Sequence, residues 1–235
     1  MNFKKAYLII VSMLTIFSPA SNAVSTNSLE EFVSCGSPKI SIDIFNSGEV
    51  KEFVKVLMSK YENYEDGKLS KEAVAYPEGQ IKGLDLIPKP NKLILGPNEK
   101  RNINFFQLAE LCKSEKDEVY SISFVPSAIP GSSNSVSLFV GMGSLLTVLP
   151  QNPKLDYELT KSDGKVAIRN TGDSVIFVSI NACNDDSIKN DDECSTRTRV
   201  HHTLERTIDI SKFKGKVVAT LTSPANSEWV KEVEL

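Results

Sequence analysis

The sequence predicts an all-β protein of two sandwich domains, the second smaller than the first. Three observations carry this reading. Apolar residues recur with a period of two rather than 3.6. The alternating runs are short and are bounded by Gly, Pro, Asn and Ser, as strands of antiparallel sheets are. A pair of prolines, Pro150 and Pro153 in LPQNPKL, interrupts the pattern and stiffens a short connection, as a domain boundary does.

Each element can be justified in order. KISIDIF sets Ile40, Ile42 and Ile44 against Ser41, Asp43 and Phe45. After a turn at Asn46-Ser47-Gly48, EFVKVLMSKY alternates Phe53, Lys55 and Leu57 with Val54, Val56 and Met58. Residues 62–83, rich in Glu, Lys and Gly, predict a long irregular excursion. NKLILGPNEKRNINFF supplies Leu93 and Leu95, a Gly96-Pro97 turn, then Ile103 and Phe105; a short helical turn is expected over 106–112. VYSISFVPSAIP alternates Tyr120, Ile122 and Phe124 with Ser121 and Ser123, and SVSLFVGMGSLLTVLP is one long strand-like run. Beyond the prolines come LDYELTKSDGKVAIRNTG, SVIFVSINA, RTIDI, KVVATLTS and EWVKEVEL. Asp163-Gly164 lies between two alternating runs and reads as a hairpin turn, and Asn170-Thr171-Gly172 reads as another.

The first residues indicate the compartment. Lys4 and Lys5 precede an apolar run from Ala6 to about Phe17, followed by Pro19 and the small-residue end Ser21-Asn22-Ala23. This is the pattern of a secretory signal, residues 1–23, cleaved after Ala23. The alternative, a membrane anchor, needs a longer run than this one. The exported part then divides into domains at 24–150 and 151–235, each large enough to hold its own core. With 27 Lys+Arg against 30 Asp+Glu the chain is nearly neutral, and no basic block interleaved with aromatics points to nucleic acid.

All four cysteines lie in the exported part, where an even count reads as two disulfides. Cys183 and Cys194, close in sequence, are expected to pair, which leaves Cys35 for Cys112 by elimination. CNDDSIKNDDEC, between the first pair, carries five acidic residues but lacks the central glycine of a calcium loop and holds Lys189 in its middle, so it reads as a solvated loop. His201 and His202 are adjacent; on a strand they would face opposite sides and could not share a metal. HHTLE is not a zinc-protease helix, and there is no nucleophile elbow, nucleotide loop or Cys–His pair with a base. The sequence therefore predicts no enzyme, no metal and no cofactor.

The long run is more informative. Val136, Leu138, Val140 and Met142 form one face; Phe139, Leu145, Thr147 and Leu149 form the other, with Gly141 and Gly143 between. Strands of a sandwich ordinarily keep one wet face. Two readings stand: a central strand buried on both faces within the chain, or a strand whose apolar row is offered to another protein by edge pairing.

The order of these segments resembles a family, the periplasmic chaperones of chaperone–usher pili. PNKLILGPNEKRNINFF is similar to that family's P-x-x-L-x-L-x-P-G strand–turn–strand, through Pro90, Leu93, Leu95, Gly96 and Pro97 with Gly and Pro exchanged. EKDEVYSISFVPSAIP resembles its R-E-x-x-Y-x-x-x-F-x-x-I-P strand through Glu118, Tyr120, Phe124, Ile129 and Pro130, with Asp117 where Arg is usual. VAIRNTGDSVIFVSINAC resembles L-x-x-x-N-x-G-x-x-x-I through Asn170 and Gly172, and the cysteine-bracketed loop is similar to the alternate branch of the family.

The resemblance implies two immunoglobulin-like β-sandwich domains at an angle, a boomerang. It implies a periplasmic protein that stabilises pilus subunits by donor-strand complementation and delivers them to an outer-membrane usher, without membrane insertion or nucleotide. The donor row would be Val136, Leu138, Val140 and Met142. The family's basic pair that grips the carboxylate end of the pilus subunit has no counterpart here: residues 136–150 and VSTNSLEEFVSCGSP contain no Lys or Arg. The competing expectation is a secreted immunoglobulin-like adhesion or surface-binding module without chaperone activity, since sandwiches host many functions.

Overall fold

The computed structural model describes residues 22–37, 40–61, 64–65, 68–69, 73–75, 86–107, 115–129, 139–182, 194–213 and 216–235. Their regular elements are all strands. The first sandwich contains β1 (Asn22–Thr26), β2 (Glu30–Ser34), β3 (Ile40–Asn46), β4 (Glu52–Tyr61), β5 (Tyr64–Glu65), β6 (Lys68–Leu69), β7 (Ala73–Ala75), β8 (Leu86–Lys89), β9 (Lys92–Leu95), β10 (Lys100–Gln107), β11 (Glu118–Ser127), β12 (Phe139–Val140) and β13 (Met142–Leu149). One sheet runs β12-β1-β3-β10-β8; the facing sheet runs β2-β13-β11-β4-β7, with β9 also on β4.

The period-two rows become the core. Ile40, Ile42 and Ile44 of β3 and Ile103 and Phe105 of β10 face Val54, Val56 and Met58 of β4, Tyr120, Ile122 and Phe124 of β11, and Leu146 and Val148 of β13. Burying each such side chain contributes roughly 1.5–3 kcal/mol before conformational entropy is counted. Glu52 begins the inward row of β4 and is fully buried. Its carboxyl oxygens accept no hydrogen bond among the described residues, and burial pushes its pKa up.

Three expectations change here. The excursion at 62–83 contains the short strands β5, β6 and β7, and β7 pairs with β4. Where a helical turn was expected from 106, Phe106 and Gln107 instead complete β10; residues 108–112 lie outside the described residues. The pairing is not wholly antiparallel, because β2 runs parallel to β13 and β1 parallel to β12. The first strand breaks between Thr26 and Glu30 and crosses from one sheet to the other, so each half meets a neighbour running the same way.

The second sandwich contains β14 (Tyr157–Ser162), β15 (Lys165–Asn170), β16 (Ile176–Asn181), β17 (Ser195–Val200), β18 (Glu205–Asp209), β19 (Val218–Ser223) and β20 (Asn226–Glu234), in sheets β14-β15-β18 and β17-β16-β19-β20. Val166, Ile168, Ile176, Val178, Ile180, Val200, Ala219 and Leu221 fill its core, which shares no residue with the first. Asp163 and Gly164 both adopt positive φ, 49° and 70°, and join β14 to β15 as the tight hairpin predicted.

Asn170-Thr171-Gly172 is not a hairpin. β15 and β16 lie in different sheets, and the segment carries the chain between them. Asn170 is buried to secure that crossover: its Nδ2 donates to Ser174 O at 2.8 Å and Val200 O at 2.9 Å, while its Oδ1 accepts from Gly172 N at 2.9 Å. The first sandwich repeats the device between β3 and β4. Asn46 Nδ2 donates to Val50 O, Leu95 O and Gly96 O, and Gly48 N donates to Asn46 Oδ1 at 2.8 Å. Both turns are Asn-x-Gly, and both asparagines reach the residue four positions on and the end of the strand that flanks the next one.

Candidate functional site

The run from Val136 to Leu149 changes character along its length. Val136 and Leu138 lie outside the described residues. From residue 140 onward the even-numbered row can be followed: Val140 is 41% exposed, Met142 half-buried, Ser144 buried, and Leu146 and Val148 are in the core. Register explains the inner part. Met142 pairs with Phe124, Ser144 with Ile122 and Leu146 with Tyr120, so the row shares a face with the core row of β11. The ladder stops at Met142, and β12 carries on without β11. Its main chain pairs instead with Asn22 and Ala23 of β1.

Gly141 is the joint. A Cβ there would lie 2.6 Å from Phe124 O and 3.2 Å from Pro126 Cδ, so only glycine lets the strand pass this close to β11. At Gly143 the nearest atom, Ile122 O, would be 3.4 Å away. The odd-numbered row is half-buried at Phe139 and Leu145 and buried at Thr147 and Leu149, where β2 pairs alongside. The C-terminal half is thus a central strand buried on both faces. The N-terminal half ends in an exposed valine with no charged residue from 136 to 149.

The other candidates fall elsewhere. Cys35 and Cys194 are disulfide-bonded, and no described cysteine is a free thiol. Cys112, Cys183 and residues 184–193 of the acidic loop lie outside the described residues. Ala182 N donates to Cys194 O at 2.9 Å, and Gly36 N donates to Gln107 Oε1 at 2.9 Å. No group of three or more His, Cys, Asp or Glu able to hold a metal occurs among the described residues.

His201 and His202 are not on a strand. They follow β17 in a turn, both are about 95% buried, and they sit where the two sandwiches meet. Asp117, just before β11, crosses that seam: its N–H donates to Asp173 O at 3.0 Å and its Oδ1 accepts from Ser174 Oγ at 2.9 Å. His201 Nδ1 is 3.9 Å from Asp117 Oδ2. Burial holds His202 below its ordinary value, against the opposing pull of Asp117. A second contact lies on β2, where Phe32 meets the Phe177 ring edge-on at 5.3 Å and Glu30 pairs with Arg199. Sequence reasoning missed this seam. Its only advance sign was Asp117 standing where the resembled family carries Arg.

These features define a class: a two-sandwich, all-β protein whose first domain carries an uncharged apolar strand that leaves β11 at Met142. Residues 38–150 match the family described as CS5 fimbrial protein N-terminal domain, so the first sandwich is similar to these fimbrial domains over nearly its whole length. The whole fold is that of the fimbrial chaperones. The class 5 fimbriae chaperone CfaA superposes with a TM-score of 0.62 at 15% identity, covering 90% of this chain and 98% of that one. The E. coli chaperone DraB gives 0.55 at 11% identity, covering 92% and 98%. A chain from the complex of the Salmonella enterica SafA pilin with the SafB chaperone gives 0.57 at 9% identity, covering 91% and all of that chain. No curated protein sequence matches the chain. Among the described residues no helix is long and apolar enough to cross a membrane.

Proposed function

We propose that this protein is a periplasmic chaperone of the chaperone–usher pathway. It holds strand-incomplete pilus subunits by lending them the open end of its long strand, then passes them to an outer-membrane usher. One observation carries the reading: the inward row of β13 leaves the core at Met142 and continues to an exposed Val140 on a charge-free strand. Val136, Leu138, Val140 and Met142 are the side chains that would fill the subunit groove, with main-chain pairing alongside. No covalent chemistry is required, so the protein acts as a binder rather than an enzyme.

On this reading residues 1–23 are removed on export, 24–150 form the subunit-binding domain and 151–235 the second domain. The disulfides are Cys183–Cys194 and Cys35–Cys112. The bond from Ala182 to Cys194 supports the first, because it sets the residue before Cys183 against Cys194. The bond from Gly36 to Gln107 supports the second, joining the chain beside Cys35 to the strand that leads toward Cys112.

Co-expression with a strand-incomplete subunit tests the function. Leu138→Glu with Val140→Glu would place unpaired charge in the subunit groove. Recovery of the subunit from periplasmic extracts is expected to collapse. Unchanged recovery would move the donor strand elsewhere. Retention of a glycan or host protein, with no subunit, would favour an adhesion module.

A further inference from the structure

We propose that the seam between the two sandwiches is a pH-responsive latch, closed while His202 is neutral and loosened when a proton enters it at mildly acidic pH. The proposal concerns the free protein and does not rest on its binding a pilus subunit.

The chain contains two histidines, and both lie in this seam. Free imidazole-type side chains are the groups that ordinarily titrate between pH 5 and 8. A proton taken up by His202 is therefore taken up inside the domain contact. The surroundings are closed to water: the Asp117 and His201 side chains are 0% and 5% exposed, and Ser174 is fully buried. The contact joins three elements. Asp117 and Lys116 come from the approach to β11, Asp173 and Ser174 from the crossover between β15 and β16, and His201 and His202 from the turn after β17.

The charges facing His202 are divided. Asp117 and Asp173 favour an imidazolium there, whereas Lys116 and His201 oppose it. Burial outweighs the carboxylates, so the neutral ring is the form that suits the closed seam. Nor is Asp117 free to swing fully toward a new charge. Its Oδ1 is committed to Ser174 and its N–H to Asp173, while its Oδ2 stands 3.9 Å from His201 Nδ1, beyond hydrogen-bond length.

The sign follows from linkage. His202 takes a proton less readily in the closed seam than in an opened one. Its contribution to closure is complete above its ordinary value of 6.5 and is lost as pH falls below it. One coupled proton changes the ratio of closed to open forms by up to about tenfold per pH unit. Opening separates two folded sandwiches rather than unfolding either, because the two cores share no residue.

The wild-type protein supplies the first test. The two imidazole C2–H resonances are followed by NMR from pH 7.5 to 5.5, with small-angle scattering recorded on the same samples. The latch requires the His202 resonance to titrate below 6.5 and the scattering radius to rise with the same midpoint. His202→Gln, which cannot take up the proton, should hold the neutral-pH radius throughout. A constant wild-type radius, or the same expansion in His202→Gln as in wild type, would overturn the latch. Should the substitution prevent folding, the two wild-type midpoints decide the matter: coincidence supports the latch and separation refutes it.

Discussion

Substituting alanine at Gly141 and at Gly143 should have opposite effects, although the two positions are two residues apart on one strand. At Gly141 the new Cβ would sit 2.6 Å from the carbonyl oxygen of Phe124. Ordinary contact begins near 3.4 Å, so strand and neighbour must part by about 0.8 Å. The obstructing atom is backbone in a strand paired on both sides with β4 and β13, so it cannot rotate away. Overpacking of this kind costs about 1–3 kcal/mol. At Gly143 the nearest atom is 3.4 Å away, and neither glycine has positive φ. Alanine there removes unfolded-state freedom at little steric cost, so Gly143→Ala should be neutral or stabilising by about 0.4–1 kcal/mol. The assay is thermal unfolding followed by circular dichroism. Fluorescence would mislead, because the sole tryptophan, Trp229, packs in the second sandwich. Gly141→Ala should lower Tm by several degrees. Two variants within about 0.5 kcal/mol of each other would refute the close approach at Gly141 and its role as a joint.

Three further substitutions follow from the buried polar groups. Asn46→Ala and Asn170→Ala each leave buried carbonyls and a turn N–H without their partner, and each should cost on the order of 3 kcal/mol by urea denaturation. A loss below about 1 kcal/mol at either would show that the crossover holds without its asparagine. Glu52→Gln should raise Tm at pH 7. Burial lifts the Glu52 pKa in the folded protein above its unfolded value of 4.5, so the ionised carboxylate penalises the fold at neutral pH. The wild type recovers as pH falls through the raised value, and the advantage of Gln should vanish near pH 4.5. An advantage that persists to about pH 4 would mean that charge is not the cause.

The strands were legible because a half-buried strand writes its two faces into alternate residues. KISIDIF, EFVKVLMSKY and VYSISF place their isoleucines, valines and aromatics where the alternation put them. Asp163-Gly164 was legible because few dipeptides tolerate two successive positive φ values. Asn170-Thr171-Gly172 was misread for a physical reason. A hairpin and a sheet crossover both call for Asn and Gly in a turn, and what separates them is where the asparagine side chain sends its hydrogen bonds. Those acceptors, Ser174 O and Val200 O, are set by tertiary structure. The same holds for Asp117, which looks like a solvated charge before a strand until Ser174 arrives from 57 residues away. The parallel pairing of β1 and β2 was equally hidden, because one strand changing sheets leaves no mark on its periodicity.

The two sandwiches share the asparagine crossover but end differently, and the difference explains why only the first would lend a strand. β20, the last strand of the second domain, is an edge strand. Its inward residues Trp229 and Val233 pack on its own core, while Glu228, Lys231, Glu232 and Glu234 line the remainder. Charged side chains along an edge discourage further pairing, since a partner sheet would have to desolvate them. The corresponding run of the first domain, from Val136 to Leu149, carries no charge at all. Its C-terminal half is covered by β2, and among the described residues Phe139 and Val140 depart from β11. A chain that protected one edge and left the other apolar by accident would expose itself to aggregation each time it folded. The asymmetry is coherent with the proposed function: a stretch that prolongs the interior row of Leu146 and Val148 would be matched by the apolar face of another sandwich core.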